Sequence, residues 1–325
     1  MTPAMVLAAA ARLEGRVVLT PTLRSARLDA LCGRSIYLKA EVLQIAGSFK
    51  IRGALNRLLQ LTDAERRAGV VAWSSGNHAQ GVAAAAREVG TQATIVMPAD
   101  APRMKIENTQ RLGASVVFHD RRREDREQIG RDLAVRTGAV VVPSYDDRDI
   151  IAGQGTVALE IAAQVAAQGA SLDALLVNCG GGGLTAGCAL ALESVSPHTA
   201  LLTVEPEGYD DHARSFASGR RERIDVTHES ICDALQVATP GELTFSINRT
   251  RVTGALVVTD TEVMAAMRAA FEYLKLVVEP GGAAALAALL AGKVPASYRH
   301  VGLILTGGNV DPVLYSQVLA QQPYM

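Results

Sequence analysis

The 325-residue chain predicts an α/β fold of two doubly wound βα domains, the smaller inserted in the larger. From about residue 50 onward, helix-period stretches alternate with short β-rich runs, the pattern of a parallel sheet flanked by helices. The chain exceeds what one hydrophobic core usually supports, and 49% of its residues are hydrophobic, so a sizeable core can be buried. Residues 1–68 and 146–325 are expected to form the larger domain and 69–145 the smaller.

Ile51, Ala54, Leu55, Leu58 and Leu59 recur at helical spacing after Lys50, with Ser48 expected to cap the first turn. Thr62-Asp63-Ala64-Glu65 reads as a capping box, with Gly69 ending the helix it opens. Residues 70–73 then read as a buried strand, 74–79 as a loop and 80–89 as a helix closed by Gly90. Further strands are expected at 93–97, 115–118 and 139–142, with helices starting near Pro102 and Glu124. The mixed-charge block 121–127 reads as a solvated helix start. Next come a helix over 155–167, a strand over 174–178, a glycine run, and a helix from Leu184. Strands at 200–204, 255–258 and 301–305 follow, and Thr259-Asp260-Thr261-Glu262 caps a helix running to about Lys275.

Composition narrows the function. The 32 basic and 33 acidic side chains leave a formal net charge of -1, so neither nucleic acid nor an anionic membrane is an expected partner. A small-molecule substrate is. Cys32, Cys179, Cys188 and Cys232 contain no C-x-x-C pair, so no zinc site or disulfide framework is expected, and a reducing cytoplasm is the default setting. The longest apolar runs, 4–11 and 283–291, fall well short of the roughly 20 residues of a membrane span. No basic residue precedes Arg12, which argues against a secretory signal, and about 15 residues follow Asn309, too few for an appended regulatory module. A catabolic role is expected.

Three segments carry chemistry. Lys50 lies in Ser48-Phe49-Lys50-Ile51-Arg52-Gly53. Gly180-Gly181-Gly182-Gly183 joins a strand to a helix, leaving backbone N–H groups bare at a helix N-terminus, which suits a phosphate dianion. Ser74-Ser75-Gly76-Asn77-His78 is a polar loop running into a helix. A Schiff-base lysine, a phosphate cradle and a polar loop facing the imine together describe pyridoxal phosphate chemistry. The glycine run also admits a flexible turn, or a dinucleotide turn, since Gly181, Gly183 and Ala186 match G-x-G-x-x-A with Glu205 ending the next strand. A dinucleotide would leave Lys50 and the Ser74 loop without a role.

In order, these motifs and Ala152-Gly153-Gln154-Gly155-Thr156, Pro240-Gly241-Glu242-Leu243-Thr244, Glu279-Pro280-Gly281-Gly282-Ala283 and Thr306-Gly307-Gly308-Asn309 span nearly the whole chain. The chain resembles the fold type II (tryptophan synthase beta-like) pyridoxal phosphate enzymes. Within them it is similar to the threonine and serine dehydratase and serine racemase group, which includes 3-hydroxyaspartate dehydratases.

The resemblance implies Lys50 as the Schiff-base lysine, Phe49 beside the cofactor ring and Asn77 at the ring hydroxyl. It implies Ser74, Ser75, Gly76, Asn77 and His78 at the substrate carboxylate, Gly180 to Gly183 at the phosphate, and Thr306 at the pyridine nitrogen. Ser75 is implied either as a second base on the opposite ring face or as a carboxylate-loop donor. Glu205, the Tyr209 carbonyl and Asp211 resemble a divalent-cation site for Mg2+ or another such ion, although such carboxylate spacing is common on surfaces. His212 is expected on the surface. Homo-oligomers, most simply dimers, are usual among such relatives.

The expected reaction is elimination: Lys50 as general base at Cα, the cofactor phosphate as acid for the β-hydroxyl, and an oxo acid and ammonia as products. Thr306, a neutral partner, disfavours a long-lived carbanion and so favours prompt elimination over transamination. Amino acid racemisation with elimination as a side reaction is the alternative. Asp233-Ala234, where many relatives have Asp-Gly, and Thr306, where racemases have serine, depart from the pattern and leave the substrate open among threonine, serine and 3-hydroxyaspartate. Arg126 is either a solvated arginine or one that reaches a second carboxylate.

Overall fold

A computed structural model describes residues 1–101 and 103–320. The described strands are β1 (Thr22–Leu23), β2 (Ser35–Ala40), β3 (Val70–Trp73), β4 (Ala93–Pro98), β5 (Ser115–His119), β6 (Val140–Val141), β7 (Ala174–Asn178), β8 (Ala200–Pro206), β9 (Gly254–Val258) and β10 (His300–Leu305). Six form a sheet in the order β1-β2-β10-β7-β8-β9 and four form a second in the order β5-β4-β3-β6. All pairings are parallel except the edge strand β1 against β2. Helices follow most strands, as a parallel sheet's crossovers require. Strands from β7 and β10 are buried almost end to end, which is why they read as continuous apolar runs.

Both capping boxes form as expected, Thr62 with Glu65 and Thr259 with Glu262. The second helix is α-helical over Asp260–Ala269, continues as a π-turn over Ala270–Leu274 and stops at Lys275, whose φ of 60° is left-handed. The helix expected from Pro102 has its start outside the described residues; Arg103–Arg111 is helical.

Ser48 does not cap its helix. Helix Lys50–Leu58 has Phe49 at its N-cap with no side-chain cap bond, and the Ser48 hydroxyl is buried without a partner. The turn is held instead by backbone: Phe49 N donates to Thr306 O at 3.1 Å, and Ser48 bridges to Gly307.

A buried charge cluster, absent from the sequence expectations, anchors the same helix. Fully buried Arg52 donates to both oxygens of buried Glu41, at 2.8 and 2.7 Å, and to both oxygens of Glu160, at 2.6 and 2.8 Å. Lys39, also fully buried, pairs with Glu160 at 2.6 Å and donates to Thr20 O at 2.6 Å. Burial pushes the Glu41 carboxyl up, but Arg52 outweighs it and leaves its pKa lowered. Helix Lys50–Leu58 packs on helices Asn77–Val89 and Arg148–Ala166, so it is clamped from both sheets' sides.

Candidate active site

Three strand ends converge on one cleft. Ser74 follows β3, Gly180 lies two residues beyond β7, and Thr306 follows β10 directly. In open α/β sheets ligands gather beyond the carboxyl ends of the strands. A cavity of about 680 Å³ lies there, bordered by Phe49, Lys50, Ser74, Ser75, Gly76, Asn77, His78, the four glycines 180–183 and Thr306. All the residues expected at the substrate or cofactor thus share one space, and Glu205, Tyr209 and Asp211 lie outside its lining.

Lys50 Nζ donates to Ser144 O at 2.9 Å and sits 5.3 Å from the Phe49 ring centroid. Burial lowers its pKa to about 8, against a smaller opposing pull from Glu279. Across the cavity, Ser74 Oγ accepts from Gly76 N at 3.1 Å, and the chain turns straight into helix Asn77–Val89, whose N-terminus has no side-chain cap. Its first N–H groups remain available to an anion. His78 Nε2 engages Val142 O at 2.9 Å, and burial lowers its pKa to about 3, so the ring is neutral.

The Asn77 amide is engaged on both sides. Nδ2 donates to Glu279 Oε1, and Oδ1 accepts from Asn309 Nδ2 at 2.8 Å. Buried Glu279 borders the cavity, and its pKa is raised to about 7, first by burial and then by Asp233, with Lys105 and Asn77 pulling the other way. Thr306 Oγ1 accepts from Asn178 Nδ2 at 3.0 Å, which leaves its own proton free to donate.

The glycines make room for protein as well as for a ligand. A Cβ on Gly181 would lie 2.4 Å from the Tyr145 ring, and one on Gly183 would lie 2.9 Å from Tyr145 O. On Gly182, whose φ is 88°, it would lie 2.6 Å from His212 Cε1 and 2.8 Å from Asn248 Nδ2. Tyr145 and its neighbour Asp146, which accepts from Glu242 N and Thr244 N at 3.0 Å, escaped the sequence reading. So did the ion pair between Lys105 and Asp233, which joins the cavity-lining helix Arg103–Arg111 to the turn Asp233–Leu235. Nothing in their local sequence marks them.

The carboxylates read as a cation site cluster apart. Glu205, buried near the end of β8, accepts from His212 N at 2.9 Å and Ala213 N at 2.8 Å. Burial and then Asp211 raise its pKa well above the ordinary carboxylate value. Asp211 is raised to about 8, chiefly by burial, and both its carboxylate oxygens are buried without a partner. Tyr209 donates its hydroxyl to His228 O at 2.9 Å. Among the described residues, no group of three or more His, Cys, Asp or Glu side chains is arranged to hold a metal. His212 is not on the surface: it is fully buried, because helix Asp211–Ser218 turns its ring inward onto Gly182.

Fold and cleft define an α/β enzyme built around a half-buried lysine amine. Residues 13–307 match the family described as pyridoxal-phosphate dependent enzyme. An L-threo-3-hydroxyaspartate ammonia-lyase of a Pseudomonas species is 48% identical over 314 residues, 97% of each chain. One of Saccharomyces cerevisiae is 44% identical over 315 residues, 97% of this chain and 95% of that one. Maize serine racemase superposes with a TM-score of 0.92 at 38% identity, covering 97% of this chain and 96% of that one. The chain belongs to the pyridoxal-phosphate dependent enzyme family, and pyridoxal phosphate is its cofactor.

Proposed function

We propose that the protein is an ammonia-lyase that dehydrates a β-hydroxy amino acid to an oxo acid and ammonia, with L-threo-3-hydroxyaspartate the first candidate substrate and serine and threonine next. The observation that carries this reading is the shared cavity: a pKa-depressed lysine amine, an uncapped helix N-terminus and a glycine turn border one space. The identity to two 3-hydroxyaspartate ammonia-lyases favours that substrate. Arg126 supports a dicarboxylate: it borders the cavity from the first residue of helix Arg126–Thr137.

The residues present fit the cofactor. Lys50 offers an amine, the glycine turn offers N–H groups free of Cβ atoms, and Thr306 offers a hydroxyl proton. Bound there, pyridoxal phosphate supplies the electron sink that makes loss of a Cα proton feasible. The chain supplies the rest. Ser74 to His78 bind the substrate carboxylate at the N-terminus of helix Asn77–Val89. Lys50, with a pKa near 8, is unprotonated often enough at neutral pH to take the Cα proton. Phe49 would pack beside the cofactor ring, the remaining N–H of Asn77 would serve its hydroxyl, and the Thr306 hydroxyl would offer a neutral hydrogen bond to the pyridine nitrogen.

Ammonia release across stereochemically pure serine, threonine and 3-hydroxyaspartate tests the reading, with Lys50→Ala as control. Release from none of them by the coloured wild-type protein, or unchanged release by Lys50→Ala, would overturn it. Ser75, which borders the same cavity, favours a second reading as an amino acid racemase. Ser75→Ala separates the two: two-base racemisation is lost in that variant, while a carboxylate-loop donor raises KM and leaves enantiomer interconversion in place.

Asp211 and Glu205, two carboxyls whose pKa values burial raises, would with the Tyr209 carbonyl hold Mg2+ or another divalent cation. Val18, Leu19, Leu43, Ile45 and Val277 are exposed, and Gln44 ties the first four together through its bonds to Val18, which supports a homodimer face. The segment 69–145, which carries the whole four-stranded sheet, is the smaller domain. The four cysteines are free, in keeping with a cytoplasmic setting.

A further inference from the structure

His212 is a buried polar side chain packed against the glycine turn, and nothing in the reaction as derived uses it. Its ring carbon Cε1 and nitrogen Nε2 fill the place beside the turn that a Cβ of Gly182 would crowd, 2.6 and 2.8 Å from where that atom would stand. Its ring nitrogens face the carbonyls of Gly180 and Gly181 without completing a well-aligned bond to either. The neighbouring carbonyls are held: Gly181 O accepts from Thr244 Oγ1 at 2.7 Å, and Gly182 O accepts from Asn248 Nδ2 at 3.2 Å. A trans peptide directs its C=O and N–H oppositely. Gripping the carbonyls of residues 180–182 therefore aims the N–H groups of residues 181–183 the other way, as a bundle of donors. His212 N is in turn bonded to Glu205 Oε1 at 2.9 Å, so one residue touches both the glycine turn and the carboxylate pair.

We propose that His212 is a positioning residue for the cofactor phosphate: its imidazole N–H, with Thr244 and Asn248, fixes the carbonyls of the glycine turn so that the turn's N–H groups converge on the phosphate. The proposal rests on reading residues 180–183 as the phosphate cradle. His212→Phe keeps a ring against Phe216, 5.6 Å away between centroids in the native chain, and removes both nitrogens. His212→Gln keeps a donor.

The test titrates the cofactor-free protein with pyridoxal phosphate and, separately, with pyridoxal, which lacks the phosphate, following visible absorbance. His212→Phe is expected to weaken pyridoxal phosphate binding about 2- to 10-fold, the size of one lost hydrogen bond to a neutral carbonyl, and to leave pyridoxal unchanged. His212→Gln restores most of the loss, and the 31P resonance of the bound cofactor moves in His212→Phe only. Equal weakening of both ligands, or of neither, overturns the proposal. Wild-type protein that binds pyridoxal as tightly as pyridoxal phosphate overturns the cradle reading beneath it, a different result. Should His212→Phe not fold, inorganic phosphate titrated into 15N-histidine-labelled wild-type protein decides: the His212 ring resonances move if the ring grips the cradle and stay in place if it does not.

Discussion

Replacing Arg52 by methionine asks whether the helix that presents Lys50 is held by charge. The cluster contains Arg52 and Lys39 against Glu41 and Glu160, two positive and two negative groups that sum to zero. Arg52→Met leaves Glu160 with Lys39 but strips Glu41 of its bidentate partner in a fully buried site. A buried charge left uncompensated costs about 3–5 kcal/mol. At roughly 2 °C per kcal/mol for a chain of this size, the Tm should fall by roughly 5–10 °C. The pH dependence carries the sharper test. In the native chain Glu41's pKa is lowered, so its contribution to stability is present above the unfolded value and is lost as pH falls through the folded one. Without Arg52, only the Thr20 hydroxyl and Lys39 still oppose burial, so that pKa rises and the folded variant holds its proton more tightly than the unfolded chain. The Tm deficit of Arg52→Met is then larger at pH 8 than at pH 5. Arg52→Met combined with Glu41→Leu recovers most of the loss, since an apolar replacement of a buried pair is often neutral or better. Thermal denaturation by circular dichroism at both pH values reads all three. A deficit independent of pH, or a double variant no better than the single, refutes the reasoning.

Glu279→Gln flattens the acid side of the stability profile: the folded pKa near 7 lies above the unfolded carboxyl value, so the cofactor-free wild type loses up to about 3 kcal/mol as pH rises from 4.5 to 7, and urea unfolding of the variant shows no such slope. Mg2+ at about 100 times its Kd raises the stability of the wild type by about 2.7 kcal/mol and that of Asp211→Asn by far less; equal responses in a thermal shift would remove Asp211 from the cation site. Gly181→Ala, which drives a Cβ to 2.4 Å from the Tyr145 ring, destabilises by about 1–3 kcal/mol in urea unfolding and is relieved by adding Tyr145→Ala; a double variant no more stable than Gly181→Ala would show that the Tyr145 contact is not the cause.

The inner strands were legible because each is a short apolar run bounded by turn residues, as 174–178 is by Asp173 and Gly180. β2 was not, because Lys39 interrupts Ser35–Ala40 and a lysine there argues for an exposed chain until its partner Glu160 is known, more than a hundred residues later. Helices Pro3–Leu13 and Pro280–Leu290 were visible only as apolar runs, since alanine on every face erases the 3.6-residue stripe. The site's outline was legible because Lys50, the Ser74 loop, the glycines and Thr306 all follow a strand or open a helix. Glu279 lies in the Glu279-Pro280-Gly281-Gly282-Ala283 motif, but its part in the site is invisible locally because its partner Asn77 stands 202 residues away. Ser48 failed as a cap for a related reason: its sequence neighbours suggest a helix start, while the pairing of Ser48 with Gly307 draws the backbone into an extended bridge first.

His212 shows where local reading runs out most clearly. Beside Asp210 and Asp211 it looks like one more polar residue on a helix surface, yet Asp211 is itself buried. The burial of His212 is decided instead by the missing side chain of Gly182, which leaves a gap that only a close-packed ring and the Asn248 amide fill. The same absence that bares backbone N–H groups for a phosphate thus opens space on the protein side of the turn for the groups that hold it. A glycine-rich anion turn is then only half of a site. The other half is the set of side chains packed where Cβ atoms are missing, here Tyr145, His212 and Asn248, and these can be found only once the chain's distant segments have been brought together.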